Sequence, residues 1–412
     1  MRVQVIFKSF IWLTCCFFIL FTPAAKAMDL SPQAQISLIT VSPGEELYSM
    51  YGHSAIRVYD PAQALDIVFN YGTFDFNTPN FYVKFIRGKL PYQLSIGYYD
   101  NLLRNSQEDN RSVYEQVFNL NQAEKQKIVN FLEYNYQPEY RSYFYDFFYD
   151  NCATRIRDVF MFELRDKLNF NNQPRANSLT FRQLVNIYQK PHPWADLGVD
   201  LLMGLPADKE AAPLEYMFLP DFLMEGFEPA RIQPTVAPAS TGTGTARPFV
   251  AEARQIFKAT APPAVPPAVT PTLVFWLLFL LIAIITAFQI KKKRASHGLD
   301  VFLFSLTGVL GILLTFLWFG TDHKAFAYNL NVLWAFPLHF PVALVLASRS
   351  QTDFLKYYFL TFAVLLVIIA VFWKIFPQDY HPAVLPIVLT LALRAGYIYY
   401  VAPLVKRENP YR

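Results

Sequence analysis

The sequence is poor in cysteine and poor in charge, and each shortage excludes something. Three cysteines occur in 412 residues, and Cys15 and Cys16 lie in the apolar N-terminal segment. Only Cys152 stands outside it, so an exported domain of this chain closes no internal disulfide. Charged residues make up 17% of the chain and hydrophobic ones 53%, a combination that excludes an ordinary soluble protein. The net charge is only +4. No dense basic stripe interleaved with aromatics accompanies it, so no nucleic-acid partner is expected. No metal site and no cofactor are expected either.

What is present is unevenly placed. Apolar residues collect in residues 1–27 and again after about residue 272, which describes a membrane protein with a large water-facing part. Arg2 and Lys8 precede an apolar stretch from Phe10 to Phe21, too short to span a bilayer comfortably. Ala25-Lys26-Ala27 supplies a small-x-small cleavage pattern, so residues 1–27 read as a signal peptide with a mature start at Met28.

Residues 28–227 read as one exported α+β domain. Strands are expected at Ile36–Val41, His53–Tyr59, Ala64–Tyr71, Tyr92–Tyr99 and Ser112–Leu120, from alternation and flanking turn residues. A helix is expected after Asn121, its N-cap, and a second from about Asn151 to Lys167, with Ile156, Val159, Phe160 and Leu164 on its apolar face. Residues 228–272, rich in Pro, Ala and Thr, read as a linker, extended where proline is dense.

Five apolar segments follow in residues 273–404, at Leu273–Ile290, Val301–Phe319, Val332–Ala347, Tyr357–Phe376 and Ala383–Leu404. Lys291 to Arg294, then Arg349 and Lys356, then Lys406 and Arg407 all fall on one side of a five-helix arrangement. The positive-inside rule puts that side in the cytoplasm, with residues 405–412 as a cytoplasmic tail and the exported domain opposite.

The chemistry centres on Cys152, in Tyr149-Asp150-Asn151-Cys152-Ala153-Thr154-Arg155, and on His53, in Tyr51-Gly52-His53-Ser54-Ala55-Ile56-Arg57-Val58. A thiol in the first turn of a helix meets unpaired N–H groups and the positive end of the macrodipole, both of which favour thiolate. A distant histidine on a strand completes a candidate nucleophile–base pair. A third group should orient the imidazole. Asn70 and Tyr71 on the next strand are the candidates, and strand alternation allows only one of them. Tyr140 to Tyr149 holds seven aromatics; they read as core, as an acyl-chain groove beside the thiol, or as a seat on the lipid interface.

The expected outside loops carry Thr321-Asp322-His323-Lys324 and Asp379-Tyr380-His381, on the same side as Cys152. Within the apolar segments stand His339 and Arg394. Ionisable groups at such depth are costly and usually functional. Arg394 is therefore a candidate contact for a lipid phosphate, or an internal partner holding the helices together. Asp322 and His323, on the side of Cys152, are candidate substrate contacts, with ordinary interfacial polarity as the other reading of His323 and His381.

The order Gly52-His53-Ser54-Ala55-Ile56-Arg57, then Asn151-Cys152-Ala153-Thr154, resembles the circularly permuted branch of the NlpC/P60 papain-like superfamily, in which the histidine strand precedes the cysteine helix. The lecithin–retinol acyltransferase group shares that order. More closely, the chain resembles the Bacteroides-type lipoprotein N-acyltransferases, whose exported domain is labelled lacto-N-biosidase N-terminal. The resemblance adds Leu197-Gly198-Val199-Asp200-Leu201-Leu202-Met203-Gly204-Leu205-Pro206, Leu219-Pro220-Asp221, and the Asp322-His323 loop with Asn329-Leu330-Asn331. It implies a permuted papain-like domain followed by a transmembrane domain. It also implies transfer of a fatty acyl chain from a membrane phospholipid, through a Cys152 thioester, to the α-amine of diacylglyceryl-cysteine lipoproteins at the periplasmic face of the bacterial inner membrane. The alternatives are an NlpC/P60-like peptidase or amidase and a non-catalytic scaffold. Glycoside hydrolysis finds no support, since it needs two placed carboxylates and no such pair stands near His53 or Cys152.

Overall fold

The computed structural model of the chain describes residues 28–170, 178–234, 245–260, 269–292, 296–348 and 353–408. The expected signal peptide, the proline run at 262–267, Lys293, Arg294 and Arg349 lie outside these residues.

Alternating apolar sequence builds an antiparallel sheet. Its strands are β1 (Gln35–Val41), β2 (His53–Asp60), β3 (Leu65–Thr73), β4 (Pro91–Tyr98), β5 (Val113–Phe118), β6 (Ser142–Phe144) and β10 (Val250–Phe257), in the order β10-β5-β1-β2-β3-β4-β6. The short β7 (Leu168–Asn169), β8 (Arg231–Ile232) and β9 (Arg247–Pro248) form a small second sheet. Each strand splits its side chains between two faces, as the pleat requires. Leu38, Ile56, Val58, Phe69 and Tyr71 belong to the main core, while Ile39, Val41, Ala55 and Val68 belong to a smaller one.

Helices cover both faces. After the short α1 (Phe81–Ile86), α2 (Tyr99–Glu108) closes the smaller core through Tyr99, Leu102 and Leu103. The main core is closed by α3 (Gln122–Tyr136) and α4 (Cys152–Leu164), which contribute Ile128, Val129 and Leu132, and Ile156, Val159 and Phe160. Asn121 starts α3 with a capping box closed by Glu124. Three further helices, α5 (Phe181–Gln189), α6 (Pro193–Leu202) and α7 (Pro220–Phe227), complete the water-facing domain.

Part of the expected linker is folded. Within residues 228–272, β10 pairs along β5 and closes that edge of the sheet. The buried carboxylate of Glu115 explains its hold: it accepts from Arg254 Nε at 2.9 Å and Nη2 at 2.8 Å, and from Arg57 Nη1 at 3.0 Å. Most residues of β10 face solvent on this edge, so its apolar signal is weak and the surrounding composition masks it.

The C-terminal part is helical: α8 (Pro271–Lys291), α9 (Gly298–Gly320), α10 (His339–Ala347), α11 (Asp353–Val371) and α12 (Val384–Glu408). Among the described residues, four helices are long and apolar enough to cross a membrane: α8, α9, α11 and α12. The expected third span, Val332–Ala347, differs. It is a 3-10 turn at Leu330–Leu333 followed by the nine-residue α10, roughly 14 Å long at 1.5 Å per residue. Pro337 interrupts helical hydrogen bonding ahead of α10, whereas Pro341 falls in the first turn of that helix, where a missing N–H costs nothing. The buried Trp334, Ala335 and His339 show that this irregular stretch is packed inside protein, the setting in which broken backbone is tolerated at membrane depth. A reporter fused after Arg412 is expected to be active only in the cytoplasm, and one inserted at 320–331 only outside. Activity of the C-terminal fusion outside would mean that the segment 321–352 does not return the chain across the bilayer.

The two parts are docked through backbone polar groups. The C-terminal carbonyls of α6 have no intrahelical partners. Asn329 Nδ2 donates to Leu201 O at 2.7 Å and Leu202 O at 3.0 Å, and Asn331 Nδ2 donates to Leu201 O at 3.2 Å. Gly204 N–H donates to Ala325 O at 2.8 Å. A Cβ at Gly204 would sit 1.9 Å from Ala327 O, so only glycine permits this approach.

Candidate active site

Cys152 owes its position to the residue before it. Asn151 is the N-cap of α4, and its Oδ1 accepts from Ala153 N–H at 2.9 Å and Thr154 N–H at 3.0 Å. Its Nδ2 donates to Phe147 O and Phe218 O, both at 2.8 Å. The side chain is 3% exposed, so its polar atoms are satisfied by protein, and the first turn of α4 is held to two separate loops. Arg155 reinforces the turn. It donates through Nε at 2.6 Å and Nη2 at 2.9 Å to the carboxylate of Asp150, and its guanidinium lies 3.5 Å over the Tyr143 ring.

His53 opens β2, and Asn70 lies on β3 beside it. The imidazole Nε2 is 3.2 Å from Asn70 Oδ1, so the amide oxygen accepts from Nε2–H. The thiol of Cys152 lies close enough to the imidazole for each group to shift the ionisation of the other. Burial alone would lower the basicity of His53, but the nearness and charge of Cys152, together with Asn70, outweigh it and raise its pKa above the ordinary histidine value. Burial alone would raise the thiol. The nearness and charge of His53, with the backbone N–H groups of Ser54 and Ala153, lower it below the ordinary thiol value. Each partner is pushed towards its charged form.

Tyr71 points the other way. Its ring is 1% exposed in the main core, and its hydroxyl donates to Asn135 Oδ1 at 2.6 Å. Between Asn70 and Thr73 the register against β4 slips, because three steps of β3 are matched by two of β4, a bulge. Gly72 sits in it at φ +89°, a conformation that side chains avoid, with a notional Cβ 3.7 Å from Cys152 Cβ. The bulge brings the strand backbone against the cysteine.

A cavity of about 360 Å³ opens on the imidazole side, lined among others by Val41, His53, Val68, Asn70, Leu102 and Arg111. Arg111 donates Nε–H to Ser42 O at 2.9 Å, while its buried Nη2 has no hydrogen-bond partner. Among the described residues, no three histidine, cysteine or acidic side chains converge on a possible metal position.

The other expected site residues are elsewhere. Asp322 pairs with Lys89 at 3.7 Å, and His323 Nε2 lies 3.0 Å from Phe85 O, so both join the transmembrane part to the region of α1. Arg394 was expected as a contact for substrate phosphate or as a helix partner. Its guanidinium donates to Asp300 Oδ1 at 2.6 Å and to Thr286 Oγ1 and Gln289 Oε1, both at 2.8 Å. Arg394 and Asp300 are both 0% exposed, so this side chain pins α8, α9 and α12 together, while its buried Nη2 has no hydrogen-bond partner. Residues that sequence reasoning passed over include Asn151 as a clamp, Gly72, and Arg111. An Asn at the helix N-cap and a Gly beside Asn70-Tyr71 were the available signals; Arg111 had none.

Two family models match the chain in tandem. The model of the Lnb N-terminal periplasmic domain matches residues 23–186, and that of the Lnb transmembrane domain matches residues 264–406. No curated protein and no solved structure matches the chain. With the two matches in this order over most of its length, and a mixed α/β sheet domain ahead of the apolar helices, the chain belongs to the Lnb family, the Bacteroides-type lipoprotein N-acyltransferases: it is an inner-membrane protein with a periplasmic N-terminal domain and a C-terminal transmembrane part.

Proposed function

We propose that the chain transfers a fatty acyl group from a membrane phospholipid to the α-amine of a diacylglyceryl-cysteine lipoprotein through a thioester on Cys152. The observation that carries this reading is the placement of Cys152, at the start of α4, beside His53, each pushed towards its charged form by the other, with Asn70 on imidazole Nε2, in a chain of the Lnb family. The order of histidine strand and cysteine helix supports a permuted papain-like arrangement of the NlpC/P60 type.

The steps follow from the pair. The Cys152 thiolate adds to the ester carbonyl of the donor. The tetrahedral adduct collapses as the ester C–O bond breaks, and imidazolium His53 gives its proton to the departing lysophospholipid alkoxide. The acyl group is now a thioester and His53 is neutral. The acceptor amine, with an unperturbed pKa near ~8, has a useful neutral fraction at pH 7. It attacks the thioester carbonyl, His53 takes the amine proton, and the C–S bond breaks to give the amide and restore the thiolate. Asn70 holds the ring so that one nitrogen faces sulfur throughout.

The test is the covalent intermediate. Purified protein given phospholipid without acceptor should gain the mass of one acyl chain at Cys152, released by neutral hydroxylamine. A diacylated lipopeptide should discharge it to a hydroxylamine-resistant amide, and blocking the peptide α-amine should prevent this. Discharge by water alone would make the protein a thiol lipase. Cleavage of peptidoglycan peptides without any acyl-enzyme would establish the amidase alternative.

A further inference from the structure

The segment between β3 and β4 has more apolar surface in water than any packing role requires. Phe76 is 70% exposed and Tyr82 75%, with Val83, Phe85 and Ile86 also exposed. None of the six residues of α1 is buried. Scattered exposed hydrophobics need no explanation, but a contiguous patch does.

Position identifies what covers it. α9 ends at Gly320, and two residues later Asp322 N–H donates to Arg87 O at 2.9 Å. His323 Nε2 is 3.0 Å from Phe85 O. The patch is thus fastened to the outer end of a membrane-spanning helix and continues its apolar surface, where Phe319 is 73% exposed. The sequence Phe81-Tyr82-Val83-Lys84-Phe85-Ile86-Arg87-Gly88-Lys89 contains three basic residues and no acidic one. Aromatic and aliphatic side chains with basic neighbours are the composition of an element seated among lipid headgroups.

From this patch an unbroken row of rings leads to the thiol. Phe85 stacks on Phe81 at 6.2 Å between centroids, Phe81 meets Phe74 at 5.8 Å, Phe74 meets Tyr92 at 5.3 Å, and Tyr92 stacks on Tyr145 at 4.5 Å. Tyr145 Cε2 lies 3.9 Å from the notional Cβ of Gly72, whose other neighbour is Cys152. The row starts at this exposed patch and ends beside the nucleophile.

We infer that residues 74–89 dip into the outer leaflet and that the acyl chain of the donor lies along Phe85, Phe81, Phe74, Tyr92 and Tyr145, its carbonyl at Cys152 and its methyl end towards the membrane. This rests on the acyl-transfer reading above and gives it a route by which a chain reaches a thiol outside the bilayer.

The test is photolabelling of full-length protein in vesicles of phosphatidylethanolamine and phosphatidylglycerol that carry a diazirine on one acyl chain. The Cys152→Ser protein is used, so that no turnover is needed. A diazirine near the ester should label Tyr145 and Tyr92, and one at the chain end should label Phe81 and Phe85. Labelling confined to α8, α9, α11 and α12, or the reverse order along the row, overturns the inference even if wild-type protein forms the thioester. If the wild type forms no thioester but the labels fall as expected, the acyl-transfer reading fails and the lipid route stands. In wild-type background, Tyr82→Asp with Val83→Asp should slow acyl loading from vesicles about tenfold or more, since two inserted side chains are lost. Loading at the wild-type rate also overturns the inference.

Discussion

Cys152→Ser is expected to insert and dock as the wild type does and to lose lipoprotein N-acylation by at least about a thousandfold. A serine hydroxyl at this position gains little from the forces that ionise the thiol, because its proton is held far more tightly. His53→Ala should fail to a similar degree, and the double variant should be little worse than either single one, since the pair acts as a unit. Mass spectrometry of one lipoprotein N-terminus in cells carrying each variant measures the effect. Near-normal acylation in Cys152→Ser would leave the thiol a structural group. Two further readouts separate chemistry from folding. Alkylation of wild-type Cys152 by iodoacetamide should be faster at pH 7 than that of an ordinary thiol, because His53 and the backbone N–H groups of Ser54 and Ala153 lower its pKa; in His53→Ala this advantage should vanish. Asn70→Ala should lower kcat with little change in KM, the result expected of a residue that acts by orienting the ring. Tyr71→Phe should keep activity, since its hydroxyl serves Asn135 in the core.

The choice between Asn70 and Tyr71 illustrates what a sequence gives and withholds. Alternation states that neighbouring strand residues face opposite ways, so one of the two had to face His53. Which one depends on the register of β3 against β2, where Ile56 pairs with Phe69 and Arg57 with Val68, and a one-residue slip would have exchanged them. Nothing local fixes that register. The Cys152 helix was legible because its determinants are local: an Asn at the N-cap and apolar residues at helical spacing. The sheet's central strands were legible for the same reason. The strand β10 was not, because Val250–Phe257 lies on an edge with one face in water and is held by Arg254 reaching Glu115 on a strand far away in sequence. The broken third apolar segment escaped for another reason. A hydropathy window registers Val332–Ala347 as apolar whether or not Pro337 lets it be one helix, and only packing against its neighbours reveals the 3-10 turn. The sequence motifs Leu197–Pro206 and Asn329–Asn331 carried the resemblance without a stated role. The structure joins them: the second caps the helix that the first ends.

Arg182→Ala is expected to be the most damaging substitution away from the thiol, and to act on the docking of the two parts. Arg182 is 1% exposed. It donates to Asp208 Oδ1 at 2.8 Å and Oδ2 at 3.0 Å, to Asp200 Oδ1 and O at 3.1 Å, and to Met203 O at 3.0 Å. It therefore shapes residues 200–208, the stretch on which Asn329, Asn331 and Gln378 dock and where Asp379 N–H reaches Asp208 Oδ1 at 3.1 Å. Removing one member of a buried ion pair strands the other, at about 3–5 kcal/mol. For a domain of this size that corresponds to an apparent Tm lower by roughly 6–20 °C in a detergent melt. The loss should depend on pH in a definite direction. Burial pushes the Asp200 carboxyl up to about 6 from its ordinary 3.8, even with Arg182 beside it. A raised folded value means that the native state holds more protons than the unfolded one across that window, so stability falls as pH rises through it. Without Arg182 the folded value rises further and the window extends upward. The variant should then be less impaired at pH 5.5 than at pH 7.5, and Asp200→Asn in the same chain should recover part of the lost Tm at pH 7.5. Equal damage at both pH values, with no recovery by Asp200→Asn, would show that Arg182 acts through its volume and its bonds to the Asp200 and Met203 carbonyls, and not through charge.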